Sequence, residues 1–142
     1  MRFRVPVVSG VAVLAAITGV AIAAPASATT WPPPGYFSCR TPDVPADGLS
    51  VHTCVKGDGG STLQSVADTS GSNKTSITLC AEIVDANQNE VPGSRNCQVV
   101  WGPSGTVWSN PVSVAPGTYY GVSYFTSPTF YYGGETPPAS VS

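Results

Sequence analysis

Apolar and polar residues alternate in short runs along residues 49–132, and this two-residue period is typical of half-buried β-strands. In the first run, the apolar face would carry Leu49, Val51, Thr53 and Val55, and the polar face Ser50, His52, Cys54 and Lys56. In the second run, the apolar face would carry Ile77, Leu79, Ala81 and Ile83. No stretch after residue 28 has a convincing helical period, so the chain is expected to be built from strands.

Seven candidate strands follow from this alternation: residues 49–56, 77–84, 95–101, 106–108, 111–114, 118–126 and 129–132. Pro and Gly interrupt the pattern every few residues, with 14 and 15 copies in the chain. Residues 57–74 are rich in Gly, Ser and Asp, and we interpret them as a long loop with room for a short strand at 63–66. The predicted fold is all-β, a small antiparallel β-sandwich of the immunoglobulin-like type, with a small β-barrel as the alternative.

The first 28 residues have the pattern of an export signal. Arg2 and Arg4 precede an apolar run up to Ala24, and the small residues at 26–28 fit a signal-peptidase site. The secreted, extracellular protein would then begin near Thr29. A retained membrane anchor is the alternative, because the run of about 20 residues is long enough to cross a bilayer.

Residues 29–142 carry four basic and eight acidic side chains, which leaves a net charge of −4. Nucleic acids and anionic membranes select clustered Lys and Arg, so neither is an expected partner. We expect an extracellular protein or carbohydrate partner and a monomeric chain. Residues 29–47 would form a Pro-rich arm and a first strand, residues 48–132 the sandwich, and residues 133–142 a flexible tail.

The four cysteines all follow the signal, and an even number in an exported chain indicates disulfides. Of the three possible connectivities we favour Cys39–Cys54 with Cys80–Cys97, since a turn-like segment lies midway in each pair and would place the partners opposite one another in a hairpin. Cys54 and Cys80 fall on the polar sides of their strands. The disulfides should therefore lie on outer or cleft-facing surfaces and not between two packed sheets.

The turn at residues 115–118 has Pro116 and Gly117 where a type II turn prefers them, and it leads into the aromatic pair Tyr119-Tyr120. This P-G-T-Y step resembles the entry to the penultimate strand of immunoglobulin-like and fibronectin-type sandwiches, as found in domains of small secreted bacterial proteins. The resemblance implies a Tyr hydroxyl bonded back to the corner.

Catalytic chemistry is not expected. His52 is the only histidine, and no serine lies in a G-x-S-x-G frame. The acidic pairs Asp43/Asp47 and Asp85/Glu90 lie in predicted turns, where Asp ordinarily accepts backbone hydrogen bonds. Residues 85–89 follow the start of a calcium loop, but Glu90 and Asn96 stand where that loop needs Gly and Glu. We therefore expect no enzyme activity, no metal and no cofactor.

The aromatic residues are the strongest functional signal, because seven of them fall within residues 119–132. Exposed Tyr and Trp are common anchors of carbohydrate-binding and protein-binding surfaces. Cross-strand packing of a final hairpin on itself is the alternative explanation. The candidate binding surface comprises Trp101, Trp108, Tyr120, Tyr124 and Tyr131. We also expect rings beside Gly121, a flat position where a ligand could approach closely.

Three functions remain open. The first is an exported, non-catalytic binding or structural module that acts through the aromatic C-terminal hairpin. The second is an inhibitor of a secreted hydrolase, with residues 57–74 or 85–94 as the protruding loop. The third is a small-molecule carrier, because size, acidity, export and two hairpin disulfides are similar to those of the enediyne-chromoprotein apoproteins.

Overall fold

The computed structural model describes residues 37–142, so the predicted signal and most of the Pro-rich arm lie outside the described residues. Eleven strands and one short 3-10 helix, Gly102–Ser104, occur in this part of the chain. The strands are β1 (Phe37–Cys39), β2 (Val44–Ala46), β3 (Leu49–Gly57), β4 (Thr62–Gly71), β5 (Ser76–Asp85), β6 (Asn96–Trp101), β7 (Thr106–Trp108), β8 (Val112–Ser113), β9 (Gly117–Ser127), β10 (Tyr131–Glu135) and β11 (Ala139–Val141).

The strands form two antiparallel sheets that pack face to face. In sheet I, β1 and β2 both pair with β3, β3 pairs with β4, and β4 pairs with both β7 and β8. In sheet II, β10 and β11 both pair with β9, β9 pairs with β5, and β5 pairs with β6. The predicted β-sandwich is confirmed, and the alternative of a closed barrel does not describe these residues.

The alternation of side chains places the apolar faces between the sheets. Val51 and Val55 of β3 are fully buried, as are Leu79 and Ile83 of β5. Phe125 of β9 is the largest fully buried side chain among the described residues and packs in the same cluster as Leu79 and Val51. Burying side chains of this size is worth about 1.5–3 kcal/mol each, so the inward faces supply the main stabilisation of the fold.

Both disulfides have the predicted connectivity. Cys39 and Cys54 lie directly opposite each other on β1 and β3, and Cys80 and Cys97 on β5 and β6. The Asp47-Gly48 turn between β2 and β3 has positive φ at both residues, the geometry of a tight hairpin turn. Both disulfides lie on outward faces of their sheets, as their polar-side positions predicted.

The expectation of a loop over residues 57–74 is wrong for most of that segment. Thr62–Gly71 forms β4, a ten-residue strand in the centre of sheet I that pairs with β3 from Leu63 to Gly71. Its inward residues are Leu63, Ser65, Ala67 and Thr69, all of them buried. Small polar side chains fit here because the two sheets approach closely at this point. The Ser-rich composition of this segment is the reason that its sequence suggested a loop.

The expectation of a flexible tail over residues 133–142 also differs from the structure. Residues 133–135 complete β10, and β11 pairs with the first residues of β9. Ala139 and Val141 are buried and join the core cluster around Val55 and Ile83. Two apolar residues spaced two apart are sufficient to dock this segment onto the edge of sheet II.

Within residues 37–142 the chain forms no helix that is long and apolar enough to cross a bilayer. All four cysteines are paired. Two disulfides are typical of proteins that work in an oxidising, extracellular environment.

Candidate binding face

A row of side chains crosses the outward face of sheet II. Tyr132 of β10 lies opposite Tyr124 of β9, Tyr124 lies opposite Cys80 of β5, and Cys80 lies opposite its disulfide partner Cys97 of β6. Four strands at a spacing of about 4.8 Å make this row about 14 Å wide. The row therefore links the two edges of the sheet through one disulfide and two tyrosines.

Large apolar side chains flank this row and face solvent. Val99 is 74% exposed, Phe130 63%, Trp101 51% and Tyr132 48%. Val99 and Trp101 share the outward face with Cys97, since they follow it at two-residue steps along β6. The Phe130 ring lies 5.9 Å from the Tyr124 ring, between centroids. We call this group the aromatic face: Val99, Trp101, Tyr124, Phe130 and Tyr132.

The aromatic face contains four of the five large exposed apolar side chains among residues 38–142. Single exposed apolar side chains are ordinary on soluble proteins, whereas a group on one surface marks an interaction site. The fifth is Trp108, 38% exposed, and it lies on the other sheet.

A polar cluster beneath the face holds Tyr124 in place. The Tyr124 hydroxyl donates a hydrogen bond to Oε2 of Glu82 at 3.0 Å, and Nε of Arg95 donates to the same oxygen at 2.6 Å. Arg95 also contacts Oε2 of Glu90 at 2.6 Å. Glu82 is buried and ion-paired with the Arg95 guanidinium, so its carboxylate is shielded from solvent.

Burial of the Tyr124 ring, followed by the nearby Glu82 carboxylate, raises the pKa of Tyr124 to about 12. The phenol is therefore neutral at physiological pH and remains a hydrogen-bond donor to Glu82. Its ring is fixed from below by this hydrogen bond and from the side by Phe130. The position of the ring at the centre of the aromatic face is thus set by contacts within the chain.

The structure separates the five residues that were predicted to form the binding surface. Trp101 and Tyr124 lie on the aromatic face. Tyr120 shares their side of sheet II but is half-buried opposite Val84, nearer the other end of β9.

Trp108 and Tyr131 lie elsewhere. Trp108 belongs to sheet I, opposite Val66. The Tyr131 ring packs on the core, edge-on to Phe125 at 6.2 Å between centroids. Val99, Phe130 and Tyr132 complete the aromatic face and were not in the predicted set. Two-residue steps from Cys97 identify Val99, but Phe130 lies in a loop where alternation gives no signal.

Gly121 does not provide the expected flat position for a ligand, because it faces the interior. A Cβ added there would lie 2.8 Å from Oγ of Ser65 and 3.1 Å from the Cys54 carbonyl oxygen. Gly121 is therefore required by the close approach of the two sheets. Tyr120 and Tyr124 of β9 lie on the opposite, outward side of the strand, whereas Phe125 shares the inward side with Gly121.

A second row of side chains crosses the outward face of sheet I. Cys39, Cys54, Val66 and Trp108 lie opposite one another across β1, β3, β4 and β7. A shallow cavity of about 300 Å³ lies over this row. Its lining consists of these four residues together with His52, Asp68 and Thr106.

His52 at the cavity wall is half-exposed and bonded through Nδ1 to Oδ1 of Asp43 at 2.6 Å. The Ser50 hydroxyl donates to the other oxygen of Asp43 at 3.2 Å. Serine and imidazole thus both bind the carboxylate, and the three do not form a relay from serine through histidine to aspartate.

Potential ligand atoms of Cys39, His52 and Cys54 lie within 4.8 Å of one another. Both sulfur atoms belong to the disulfide. In this state they offer no thiolate to a metal ion.

The prediction that acidic residues in turns bind the backbone is confirmed for Asp85 but wrong for Asp43 and Asp47, whose carboxylates bind the side chains of Ser50, His52 and Asn73. Oδ1 of Asp85 accepts hydrogen bonds from the amides of Asn87 and Asn89 at 2.8 and 2.9 Å. The Asn89 amide makes the largest contribution to lowering the pKa of Asp85 below its usual value. This carboxylate stabilises the β5–β6 turn, which explains the Asp and Asn spacing that resembled a calcium loop.

Comparison of the chain with protein-family models, with curated proteins and with solved structures gives no match.

Proposed function

We propose that this protein is an exported, non-catalytic binding module that attaches to an extracellular polysaccharide through the aromatic face of sheet II. The observation that supports this proposal is the concentration of exposed apolar side chains on one sheet surface. Aromatic rings occupy both edges of sheet II, with Trp101 on β6 and Tyr132 on β10. Thr78 of β5 lies between these two strands, opposite Val99.

An uncharged sugar polymer suits such a surface. Aromatic rings pack against the apolar faces of sugar rings, and hydroxyl groups supply the polar contacts. Each charge of the cluster beneath the aromatic face is ion-paired, because Arg95 binds both Glu82 and Glu90. Binding therefore requires no desolvation of an isolated ion, which would be costly. The Cys80–Cys97 disulfide and the Tyr124–Glu82 hydrogen bond fix the surface in advance, which lowers the entropic cost of binding.

Retention on insoluble polysaccharides tests the proposal. The purified protein is incubated with cellulose, chitin and other insoluble glucans, and the free fraction is measured. Trp101→Ala should weaken binding roughly tenfold or more, since exposed Trp anchors of a binding surface often carry at least this share of the binding free energy. Trp108→Ala is the matched control, because it removes the same side chain from the outward face of the other sheet and should leave binding unchanged.

Circular dichroism and thermal unfolding establish that both variants are folded. Failure of the wild-type protein to bind any of these polymers would overturn the proposal. Equal retention of wild type and Trp101→Ala would overturn it as well. Capture of a secreted protein through Trp101, with no polysaccharide bound, would replace the carbohydrate partner with a protein partner.

A small-molecule carrier is the second candidate, and the cavity over the Cys39–Cys54 disulfide favours it. This cavity combines apolar walls from Val66 and Trp108 with polar groups from His52 and Asp68. Mass spectrometry of protein purified under native conditions should then reveal a retained compound. Trp108→Ala should release this compound and Trp101→Ala should not, the reverse of the polysaccharide result.

The sandwich is further proposed to be immunoglobulin-like. The Tyr119 hydroxyl donates to the Ala115 carbonyl at 2.9 Å, a contact typical of the tyrosine corner of such domains. In sheet I, β3, β4 and β7/β8 can be assigned to the immunoglobulin strands A, B and E. In sheet II, β5, β9 and β10/β11 can be assigned to strands C, F and G. With this assignment, the neighbouring strands in both sheets agree with the immunoglobulin order. The disulfides differ from that pattern, since each lies within one sheet.

Export through residues 1–28 is the remaining part of the proposal. Intact mass of the protein from the culture medium should correspond to a chain that begins near Thr29. A full-length chain recovered only from membranes would support the retained anchor instead.

A further inference from the structure

The two sheets have four edges, and three of them are broken by proline. Within the described residues, Pro42 lies between β1 and β2, Pro111 between β7 and β8, and the pair Pro137-Pro138 between β10 and β11. Each broken edge consists of two short strands. Short strands and prolines are the usual devices that prevent a sheet edge from pairing with another chain.

The fourth edge is β6, and it has no such protection. Asn96–Trp101 is one continuous strand of six residues without proline, charge or a register shift against β5. Val99 at its centre is the most exposed large apolar side chain among residues 38–142. An exposed, uncharged and apolar edge of this kind is a template for strand pairing.

The pairing of β6 with β5 determines which backbone groups face outward. Cα atoms of Cys80 and Cys97 are 4.1 Å apart, the close spacing of a non-hydrogen-bonded pair. Cys97, Val99 and Trp101 therefore direct their backbone groups away from β5, while Gln98 and Val100 bond to it. The amide of Gly102, in phase with Gln98 and Val100, donates to the Thr75 carbonyl at 2.9 Å, which agrees with this assignment.

The start of this edge is covered and the rest is open. Nδ2 of Asn110 donates to the carbonyl oxygens of Gly93 and Arg95 at 3.0 and 3.1 Å. Among the described residues, no side chain or strand takes this role for the outward groups of Cys97 and Val99 or for the outward amide of Trp101. Unpaired donors and acceptors in a row are what a further strand would bind.

We infer that β6 pairs antiparallel with β6 of a second copy and that the protein forms a twofold dimer through this edge. With the axis at Val99, the two Val99 residues exchange two hydrogen bonds, and each Trp101 amide donates to the Cys97 carbonyl of the other copy, roughly four bonds in all. The Trp101 carbonyl accepts the first hydrogen bond of the 3-10 helix that follows, so it is not counted among these bonds. The dimer differs from the monomer that the sequence suggested.

A second copy is the occupant because only β6 offers a complementary edge. The other three sheet edges of the chain are interrupted. Among the edges that two copies of this chain offer each other, β6 therefore pairs best with the β6 of the second copy. A contact of one patch with itself closes after two copies and does not continue into a fibre. The absence of charge from β6 also means that this contact brings no like charges together.

The pairing leaves the aromatic face open. Side chains stand perpendicular to the sheet, so Val99 and Trp101 remain on the outward face while their backbones bond to the partner. Two five-stranded sheets become one continuous sheet, and two aromatic faces lie side by side. The dimer contact is made by backbone groups and does not depend on the proposed ligand.

Size-exclusion chromatography coupled to light scattering tests the dimer over about a hundredfold range of protein concentration, because a weak dimer dissociates on dilution. The wild type should reach twice the chain mass. Val99→Pro removes the central outward amide at an edge position where proline is tolerated, so it should fold and be monomeric. Val99→Thr is the matched control, because it keeps the backbone and the branched side chain and should remain dimeric.

Amide exchange provides an independent readout. In the wild-type dimer the amides of Val99 and Trp101 should be protected together with those of Gln98 and Val100, and in Val99→Pro the amide of Trp101 should lose protection. A monomeric wild type with a rapidly exchanging Val99 amide would overturn the inference. A dimer that persists in Val99→Pro would overturn it too. Trp101→Ala should remain dimeric even where it abolishes polysaccharide retention, which separates this inference from the proposed function.

Discussion

Gly121→Ala tests the close approach of the two sheets, which determines the fold at the centre of the sandwich. The new methyl group would enter the interior 2.8 Å from Oγ of Ser65 and 3.1 Å from the Cys54 carbonyl oxygen. Ser65 is fully buried, and its hydroxyl donates to that same carbonyl at 3.3 Å. Neither neighbour is a flexible side-chain end, so the sheets have to separate by several tenths of an ångström.

The expected cost follows from two opposing effects. Overpacking of a well-filled core costs about 1–3 kcal/mol. Replacing Gly by Ala restricts the unfolded chain and returns about 0.4–1 kcal/mol. The net loss in the free energy of unfolding should be about 1–2 kcal/mol, which lowers Tm by roughly 5–15 °C for a domain of this size.

Thermal unfolding followed by circular dichroism measures this effect, and Gly60→Ala is the matched control. Gly60 is exposed, and a Cβ there would meet nothing closer than an Asp58 carboxylate oxygen at 3.4 Å. Ser65→Ala combined with Gly121→Ala should recover part of the loss, because it removes the closest atom. Equal Tm values for Gly121→Ala and Gly60→Ala would refute the proposed contact between the sheets.

Two further predictions concern the aromatic face. Replacing Cys80 and Cys97 together by Ala opens a loop with a sequence separation of 17. Denaturant unfolding should then show that the free energy of unfolding falls by about 3 kcal/mol, because the unfolded chain gains entropy. An unchanged denaturation midpoint would contradict a stabilising role of this disulfide. The pKa of Tyr124, raised to about 12, means that its contribution to stability is complete below pH 10 and lost as the pH rises toward 12. Ultraviolet titration should therefore show a tyrosine that ionises near pH 12, which Glu82→Gln shifts to lower pH and Tyr124→Phe removes.

Much of the fold is predictable because local pattern and tertiary structure agree. Alternation identified β3, β5, β6 and β9, and the turn at Asp47-Gly48 fixed the first hairpin and with it the first disulfide. The placement of both disulfides on outward faces followed from the same alternation. These features depend only on neighbouring residues within a strand or hairpin.

The errors arise where contacts distant in sequence determine the structure. β4 has the composition of a loop, yet a small side chain is required at Ser65 because Gly121 of the other sheet lies close to it. The last ten residues look like a polar tail, yet Ala139 and Val141 complete the core at the start of β9. No local pattern reports which sheet will lie opposite a segment.

The aromatic face was only half predictable for a related reason. The density of aromatic residues identified the region, but the inward or outward direction of each ring depends on register. Tyr131 and Tyr132 are adjacent, and the first packs on Phe125 while the second faces solvent. Phe130 reaches the face from a loop through its contact with Tyr124.

The central claim is that the aromatic face of sheet II is the binding surface. A nuclear magnetic resonance titration with a soluble oligosaccharide of the retained polymer tests it most directly, with the indole N–H signals of Trp101 and Trp108 as reporters on opposite sheets. The account predicts that the Trp101 indole and the amides around Tyr124 and Tyr132 shift while the Trp108 indole does not. Shifts confined to Trp108 and His52 would contradict it and place the ligand in the cavity on sheet I.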